Sequence, residues 1–446
     1  MASVDSAGWL ERQFRLTENR TNVRTELLAG VTTFLTMSYI IFVQPDVLSK
    51  AGMDKDAVFV ATCIASALAT LVMAFLANYP VALAPAMGHN FFFAFAATPM
   101  IAKLGYPDAP WRAALGAVFI CGVLFLVLSQ WGFREKLMTA IPPSLQYSIA
   151  AGIGLLIAMV GMQDAGIIVA HRATLVQLGQ LNEPKVLLAL GGTLLIAALM
   201  ARRVRGAILI GLLATAIAGL PLGLTKFEGV MSTPPSLSPT LFKMDVFGIL
   251  KDPRMWEIVF VFLYLAVFDT VGTLVGVCQK AGLMVNGVLP RAKQAFLADA
   301  SGAAVGAALG TSTITCYIES ATGVASGGRT GLANVATAAL FLLALFFKPL
   351  VAMIGVPHVI APALIIVGAL MLEGVGRVKW DDATEGIPAF LTLIVMPLTI
   401  NITEGIAFGF ISYSLLKLVS GRARDAHWLV HLCAALFILR YIFLRG

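Results

Sequence analysis

A chain in which only 12% of the residues are charged and 59% are hydrophobic cannot clothe a water-facing surface. Soluble chains are typically about 25% charged and about half apolar. A soluble enzyme, a disordered protein and a nucleic-acid-binding protein are excluded on that ground. The mean hydropathy of +0.88 points to a lipid-embedded chain. In that setting the net charge of +7 does not require an acidic partner, because Lys and Arg collect on the cytoplasmic side of membrane proteins. The five cysteines (Cys63, Cys121, Cys278, Cys316 and Cys433) are scattered, with no CxxC pair. That pattern argues against a disulfide framework or a zinc site. Residues 1–24 are polar, carry Arg12, Arg15, Arg20 and Arg24, and show no cleavage pattern of a signal peptide.

A spanning helix needs about 20 mostly apolar residues. Spans are expected near 25–43, 57–77, 80–97, 112–130, 143–163, 184–201, 205–222, 255–278, 292–310, 312–328, 331–350, 357–374, 385–400 and 402–420, fourteen in all. A further apolar stretch, 427–444, carries His427, His431, Arg440 and Arg445, which favours an amphipathic helix at the interface over an extra span. With the N terminus inside, the inner segments hold eighteen Lys and Arg and the outer ones eleven, four of the eleven in the single long loop 223–254. The bias is sharpest in the short loops, where it sets orientation. The chain therefore divides into a cytoplasmic N-terminal segment 1–24, a seven-span unit 25–222 and an external linker 223–254. A second seven-span unit, 255–420, and a cytoplasmic tail, 421–446, with an amphipathic or membrane-associated helix complete it.

The two units resemble each other. Residues 61–92 pass from an Ala/Ser-rich helix through Asn78-Tyr79-Pro80 to Ala86-Met87-Gly88-His89-Asn90. Residues 297–328 pass from a small-residue helix through Gly310-Thr311-Ser312 to Glu319-Ser320-Ala321-Thr322-Gly323. Pro142-Pro143 and Val356-Pro357 each open a further helix. An odd number of spans per unit inverts the second against the first, as in many secondary transporters. Spans 3 and 10 are also irregular. The first is interrupted by Pro80, Pro85, Gly88 and Asn90, and the second opens on Thr311, Ser312 and Thr313. Interrupted segments at matching places in two halves mark a midplane site, because broken backbone at that depth must line a cavity or be buried in protein. Freed N–H groups at such half-helix starts are available to a substrate. Close packing through small residues is the competing reading.

An ionisable residue inside a span costs roughly 2.5–3.5 kcal/mol on insertion scales. Asp269, within span 8, and Glu319, in broken span 10, stand out because neither span offers a Lys, Arg or His at that depth. Carboxylates so placed suit a group that takes up a proton with its substrate and releases it later, and they accept hydrogen bonds from ring N–H and amino groups. Asn90 supplies a donor and an acceptor at the break in span 3, beside His89. Phe91, Phe92, Phe93, Phe268 and Tyr317 flank these groups, and a planar ring can stack on such a face. Asp299 either lines the same cavity or bonds a neighbouring helix. Glu26, Asp164 and Glu373, close to span ends, are expected at the interface.

The residues Thr25 to Ile40, Ala84-Pro85-Ala86-Met87-Gly88-His89-Asn90, Phe268-Asp269-Thr270-Val271-Gly272-Thr273, Glu319-Ser320-Ala321-Thr322-Gly323 and Ser326-Gly327-Gly328-Arg329-Thr330-Gly331-Leu332 resemble, in order, the azaguanine-resistance (AzgA-like) purine permeases of the xanthine/uracil permease superfamily, also called nucleobase-cation symporter 2. The likeness covers about 20–420. Where that family's common pattern has Gly-Leu-Asn, a small residue and Tyr, this chain has Gly88-His89-Asn90-Phe91-Phe92, a departure that bears on which purine is preferred. The resemblance implies an all-α polytopic membrane protein of fourteen spans in two inverted sevens. Spans 1–4 and 8–11 would form a core, with a short strand in each of spans 3 and 10. Spans 5–7 and 12–14 would form a gate and the contact of a homodimer. It further implies proton-coupled uptake of adenine, guanine or hypoxanthine across the cell membrane by alternating access, elevator-like, with no cofactor beyond the coupling proton. Carried over by position, Asn90, Asp269 and Glu319 match that family's substrate residues, and Glu319 or Asp269 is expected to carry the proton; Phe268 and Tyr317, as stacking rings, and Ser320 are expected beside them at the base. His89, Phe92, Thr273 and Asp299 are further candidates.

The rival readings are a carrier of the same fold for xanthine, uracil or another small substrate, an intramembrane enzyme and a channel. The Gln-Asn then Gly and Thr signature of uracil and xanthine carriers is not evident. Sulfate-type carriers normally end in a large soluble domain, and two buried carboxylates suit an anion poorly. An intramembrane enzyme would need a metal cluster or a motif such as Gly-x-Gly-Asp, and the sequence shows neither.

Overall fold

The computed structural model describes residues 8–130, 142–284 and 289–443; Arg445, used in the sequence reading, lies outside them. A short helix, Trp9–Phe14, precedes the bundle. Span 1 runs over Val23–Ser49 and span 2 over Lys55–Ala77. Span 3 begins as a strand, β1 (Leu83–Pro85), and continues as helix from Met87 to Lys103. Spans 4 to 7 are Pro110–Gln130, Pro143–Asp164, Pro184–Ala201 and Ala207–Gly219. A small hairpin, β2 (Ile168–His171) and β3 (Leu175–Leu178), joins spans 5 and 6. The second unit repeats the order. Spans 8 and 9 are Trp256–Lys280 and Ala292–Leu309, and span 10 is a strand, β4 (Ile314–Cys316), followed by helix Ser320–Ala325. Spans 11 and 12 run over Gly331–Ile354 and Pro357–Arg377, and spans 13 and 14 are Ala383–Thr399 and Ile402–Val419.

Eight of these helices are long and apolar enough to cross a membrane by that test alone. The rest are completed by the packing, which repeats itself when each span is renumbered by seven. Span 2 packs on span 11, and span 9 on span 4. Span 1 packs on spans 10 and 11, and span 8 on spans 3 and 4. Span 6 packs on spans 7 and 12, and span 13 on spans 14 and 5. Spans 5 and 12 meet each other, as do β1 and β4. This is an inverted repeat of two sevens. Spans 1–4 and 8–11 form one group, and spans 5–7 and 12–14 the other.

Small residues make the crossings close. A Cβ on Gly154 would stand 2.6 Å from the Gly368 carbonyl oxygen, so spans 5 and 12 approach backbone to backbone. Prolines mark the matching starts, Pro143 and Pro357 both occupying the first helical turn, where a missing N–H costs nothing.

The two ends of the bundle are distinguishable. At one, the N-terminal helix packs Phe14 on Phe75, and Asn78, closing span 2, donates to the Phe14 carbonyl at 3.0 Å. At the other lies the 223–254 segment, where the Asp245 N–H donates to the Arg112 carbonyl at 2.8 Å and the Thr240 hydroxyl to the Leu309 carbonyl at 3.2 Å. We call these the N-terminal end and the linker end. Glu26, expected at the interface, is instead fully buried. Its carboxylate accepts from the Arg329 N–H at 2.8 Å and the Thr330 N–H at 3.3 Å, which caps the N-terminus of span 11, where backbone donors lack intrahelical partners.

The tail helix, Trp428–Phe443, lies antiparallel along span 14. Ser414 and His431 are bonded at 2.7 Å, and nearer the linker end the Tyr441 hydroxyl donates to Glu404. Two of the polar residues that suggested an interfacial helix are therefore paired with protein groups, and Arg445 lies outside the described residues. His431 pairs with Ser414, and Arg440 pairs with Glu257 at 2.7 Å and Glu404 at 2.9 Å.

Candidate functional site

Broken spans 3 and 10 meet head to head. Strands β1 and β4 pair antiparallel, with Leu83 opposite Cys316, Ala84 opposite Thr315 and Pro85 opposite Ile314. The Ala86 N–H donates to the Thr313 carbonyl at 2.9 Å and the Tyr317 N–H to the Ala82 carbonyl at 3.0 Å. Each strand then turns into a short helix, and the chain between is held by side chains. The Tyr317 hydroxyl donates to the Pro85 carbonyl at 2.6 Å, and the Ala82 N–H donates to the Ser320 hydroxyl at 3.0 Å. Tyr317 and Ser320 are thus braces between the strands, with Ser320 fully buried.

A cavity of two adjoining lobes, about 270 and 440 Å³, lies beside this crossing. Gly88, Asp269, Thr273, Ile318 and Met371 line both lobes. That volume is in the range of small-molecule sites, roughly 300–1,000 Å³. One lobe holds Glu319, Tyr39 and Glu373, and the other holds His89, Gln146 and Tyr264. Gln146 and Tyr147 open span 5 and Met371 and Glu373 lie near the close of span 12, so the cavity reaches toward the N-terminal end.

Asp269 and Glu319 line the same lobe. The Asp269 side chain is 40% accessible, and its Oδ2 lies 3.9 Å from Nδ1 of the buried His89. Thr273 follows one turn later on the same face of span 8. Glu319 is half-buried and accepts from the Tyr39 hydroxyl at 2.7 Å. Tyr39 stands where span 1 is interrupted, between helices ending at Met37 and beginning at Ile40. Charge-assisted bonds of this kind are roughly twice as strong as neutral ones and fix the rotamer of the carboxylate. Tyr39 and Gln146 were not singled out from the sequence, and Glu373, noted there only as close to a span end, lines the cavity. Tyr39 sat in an otherwise regular span and meets its partner 280 residues away.

Asn90, Phe92 and Asp299 are not among the residues that line the cavity. Asn90 is fully buried; its side-chain oxygen accepts from the Ser312 hydroxyl, and Gln44 donates to the neighbouring Thr311 hydroxyl at 2.9 Å. Phe92 is buried, its ring edge-on to Phe262 at 4.8 Å, which is packing. The Phe268 side chain lies outside the described residues. Asp299, 2% exposed, settles on the second of its two readings. It accepts from the Thr270 hydroxyl at 2.6 Å, the Thr315 hydroxyl at 2.9 Å and the Cys316 N–H at 3.0 Å. It thereby fastens β4 to spans 8 and 9. Among the described residues no group of His, Cys, Asp and Glu is arranged to hold a metal ion.

Comparison with known proteins agrees with this architecture. The transmembrane domain of the cyanobacterial bicarbonate transporter BicA superposes with a TM-score of 0.66 at 15% identity, over 86% of this chain and 97% of that one. The anion transporter SLC26A9 does so with 0.63 at 12% identity, over 93% of this chain and 67% of that one. At such identity the likeness is one of fold. Sequence relatives are much nearer. The putative permease MJ0326 of Methanocaldococcus jannaschii is 50% identical, over 98% of this chain and 99% of the relative. The adenine permease AdeQ of Escherichia coli is 44% identical over 98% and 97%. The guanine/hypoxanthine permease PbuG of Bacillus subtilis is 44% identical over 97% and 99%. A xanthine/uracil-type family model, described as a permease family, matches residues 24–408. The chain belongs to this permease family, and is a multi-pass membrane transporter, not an enzyme.

Proposed function

We propose that the chain imports purine nucleobases (adenine, guanine or hypoxanthine) together with a proton across the cell membrane, with its N terminus inside. The observation that carries this reading is a single cavity beside two broken spans, lined by Asp269 and Glu319. Purine edges present ring N–H and amino donors, which two carboxylates accept, and a neutral carboxyl group donates back to a ring nitrogen. The near relatives whose names specify purines support the same substrate class.

In this reading Glu319, aimed by Tyr39, and Asp269, one turn from Thr273, grip the edge of the base. One of them takes the coupled proton, since a cavity-facing carboxylate with no Lys or Arg lining the cavity among the described residues is stabilised by protonation. Asp299, Tyr317 and Ser320 hold the strands that set the position of Glu319. Transport follows when the core spans move against the gate spans and expose the cavity to the other side. The gate spans also supply the contact of a homodimer.

The test is uptake of labelled adenine and hypoxanthine by cells lacking their own carriers, with unlabelled purines, xanthine and uracil as competitors. Competition by the purines with loss of uptake in Glu319→Ala and Asp269→Asn is expected. Competition by uracil or xanthine alone would replace the substrate class, and normal uptake in Glu319→Ala would remove that residue from the site.

A further inference from the structure

The cavity lining reaches toward the N-terminal end, which leaves its closure to be found at the linker end. The charges found there bridge the core to the gate. Asp46, in the second half of span 1, is 4% exposed and lies between two lysines of the core, 3.6 Å from Lys50 and 3.1 Å from Lys55. Lys50 has its other partner in the gate group: it meets Asp164, the last residue of span 5, at 2.5 Å. Lys55 stays within the core, donating at 2.6 Å to the carbonyl of Gly355, which caps the end of span 11. A second link lies across the same end. Arg440 rides on the tail helix packed along gate span 14, and it binds Glu404 of that span and Glu257 at the start of core span 8.

We propose that these two links, Lys50 with Asp164 and Arg440 with Glu257, form an ionic clasp that shuts the linker end of the transport route, and that it must open for the cavity to face that side. Both links join the same two bodies, both lie at the end opposite the one the cavity reaches, and Asp164 and Glu404 stand at the ends of gate spans 5 and 14 that a sliding core would leave behind. The two lysines share one buried carboxylate, so they stay with the core when the gate contacts part. The other group facing Lys50 is the ring of Phe95, 5.9 Å away on span 3, which also belongs to the core. Ion pairs suit this task because both partners of each pair keep some exposure (Lys50 28% and Asp164 17%, Arg440 17% and Glu257 16%) and can exchange each other for water when the two bodies part. An apolar seal of equal area would not part so readily.

The proposal rests on alternating access, and its test does not depend on the substrate. Ile318, in the cavity wall, is replaced by cysteine in a chain whose five native cysteines are removed. A membrane-impermeant maleimide is then applied to intact cells and to inside-out vesicles. With the clasp intact, labelling from the N-terminal side is expected to be at least tenfold faster than from the linker side. Asp164→Asn combined with Glu257→Gln is expected to raise labelling from the linker side several-fold, and the charge exchange Lys50→Asp with Asp164→Lys to return it toward the starting value. Unchanged linker-side labelling in Asp164→Asn/Glu257→Gln, in protein that elutes as a folded peak, would overturn the clasp. If purine uptake failed while labelling behaved as described, the substrate reading would fall and the clasp would stand.

Discussion

Replacing Asp299 separates a residue that builds the site from those that touch its occupant. The carboxylate is 2% exposed and accepts three hydrogen bonds, from Thr270, Thr315 and the Cys316 N–H. In Asp299→Ala the two hydroxyls have other partners, since the Thr270 hydroxyl lies 2.9 Å from the Ala266 carbonyl and 2.8 Å from the Thr315 hydroxyl. The Cys316 N–H loses its acceptor. One orphaned buried donor costs about 1–3 kcal/mol, and each side-chain bond lost within a membrane bundle adds roughly 0.6 kcal/mol. The expected destabilisation is therefore about 2–4 kcal/mol from these same sources. Asparagine keeps an oxygen for Cys316 and Thr315 and turns an N–H toward Thr270, so Asp299→Asn should cost about 1 kcal/mol or less, the net worth of one hydrogen bond. The assay is the melting of detergent-solubilised protein, read as the folded fraction on size exclusion, alongside uptake per folded molecule. Asp299→Ala should melt earlier with reduced uptake, and Asp299→Asn should keep KM within about threefold, under 1 kcal/mol. If Asp299→Asn abolished uptake while melting like the parent, Asp299 would touch substrate or proton and the positioning role would be wrong.

Other outcomes follow from the same geometry. Tyr39→Phe removes the donor to Glu319, and uptake at low purine concentration should fall roughly tenfold, about 1.4 kcal/mol; an unchanged KM would show that Glu319 needs no such support. Gly154→Val forces a side chain against the Gly368 carbonyl 2.6 Å from its Cβ, and should lower the melting temperature by the equivalent of at least about 1–3 kcal/mol, the usual cost of overpacking. Glu26→Gln leaves one of the two N–H groups at the start of span 11 without an acceptor, and should cost about 1–3 kcal/mol in the same melting assay. Uptake should rise as the outer pH is lowered and collapse with a protonophore, and uptake indifferent to both would remove proton coupling.

Much of this was legible in the sequence because membrane insertion makes apolar length and misplaced polarity conspicuous. The spans follow from runs of apolar residues, and spans 3 and 10 betrayed their breaks through Pro80, Pro85 and the run Thr311-Ser312-Thr313. Asp269 and Glu319 could be singled out because so apolar a chain keeps few charges at that depth. What stayed hidden depends on which way a side chain turns. Asp299 sits in a helix of small residues that leaves no apolar face to orient it, and only β4 shows where it points. Asn90, at the break of span 3, faces Ser312 because the strands cross there. Tyr39 is polar only at its tip, and its partner is distant in sequence. The tail helix misleads because His431 and Arg440 read as solvated until their partners on spans 8 and 14 are known.

The central claim is that the cavity of Asp269 and Glu319 holds a purine base. The most direct measurement is equilibrium binding of labelled adenine and hypoxanthine to purified protein, compared with Glu319→Gln and Asp269→Asn variants that remain folded. Saturable binding displaced by purines, and weakened at least tenfold in both variants, is the predicted result. Binding of equal strength in parent and variants would place the base elsewhere and contradict the account.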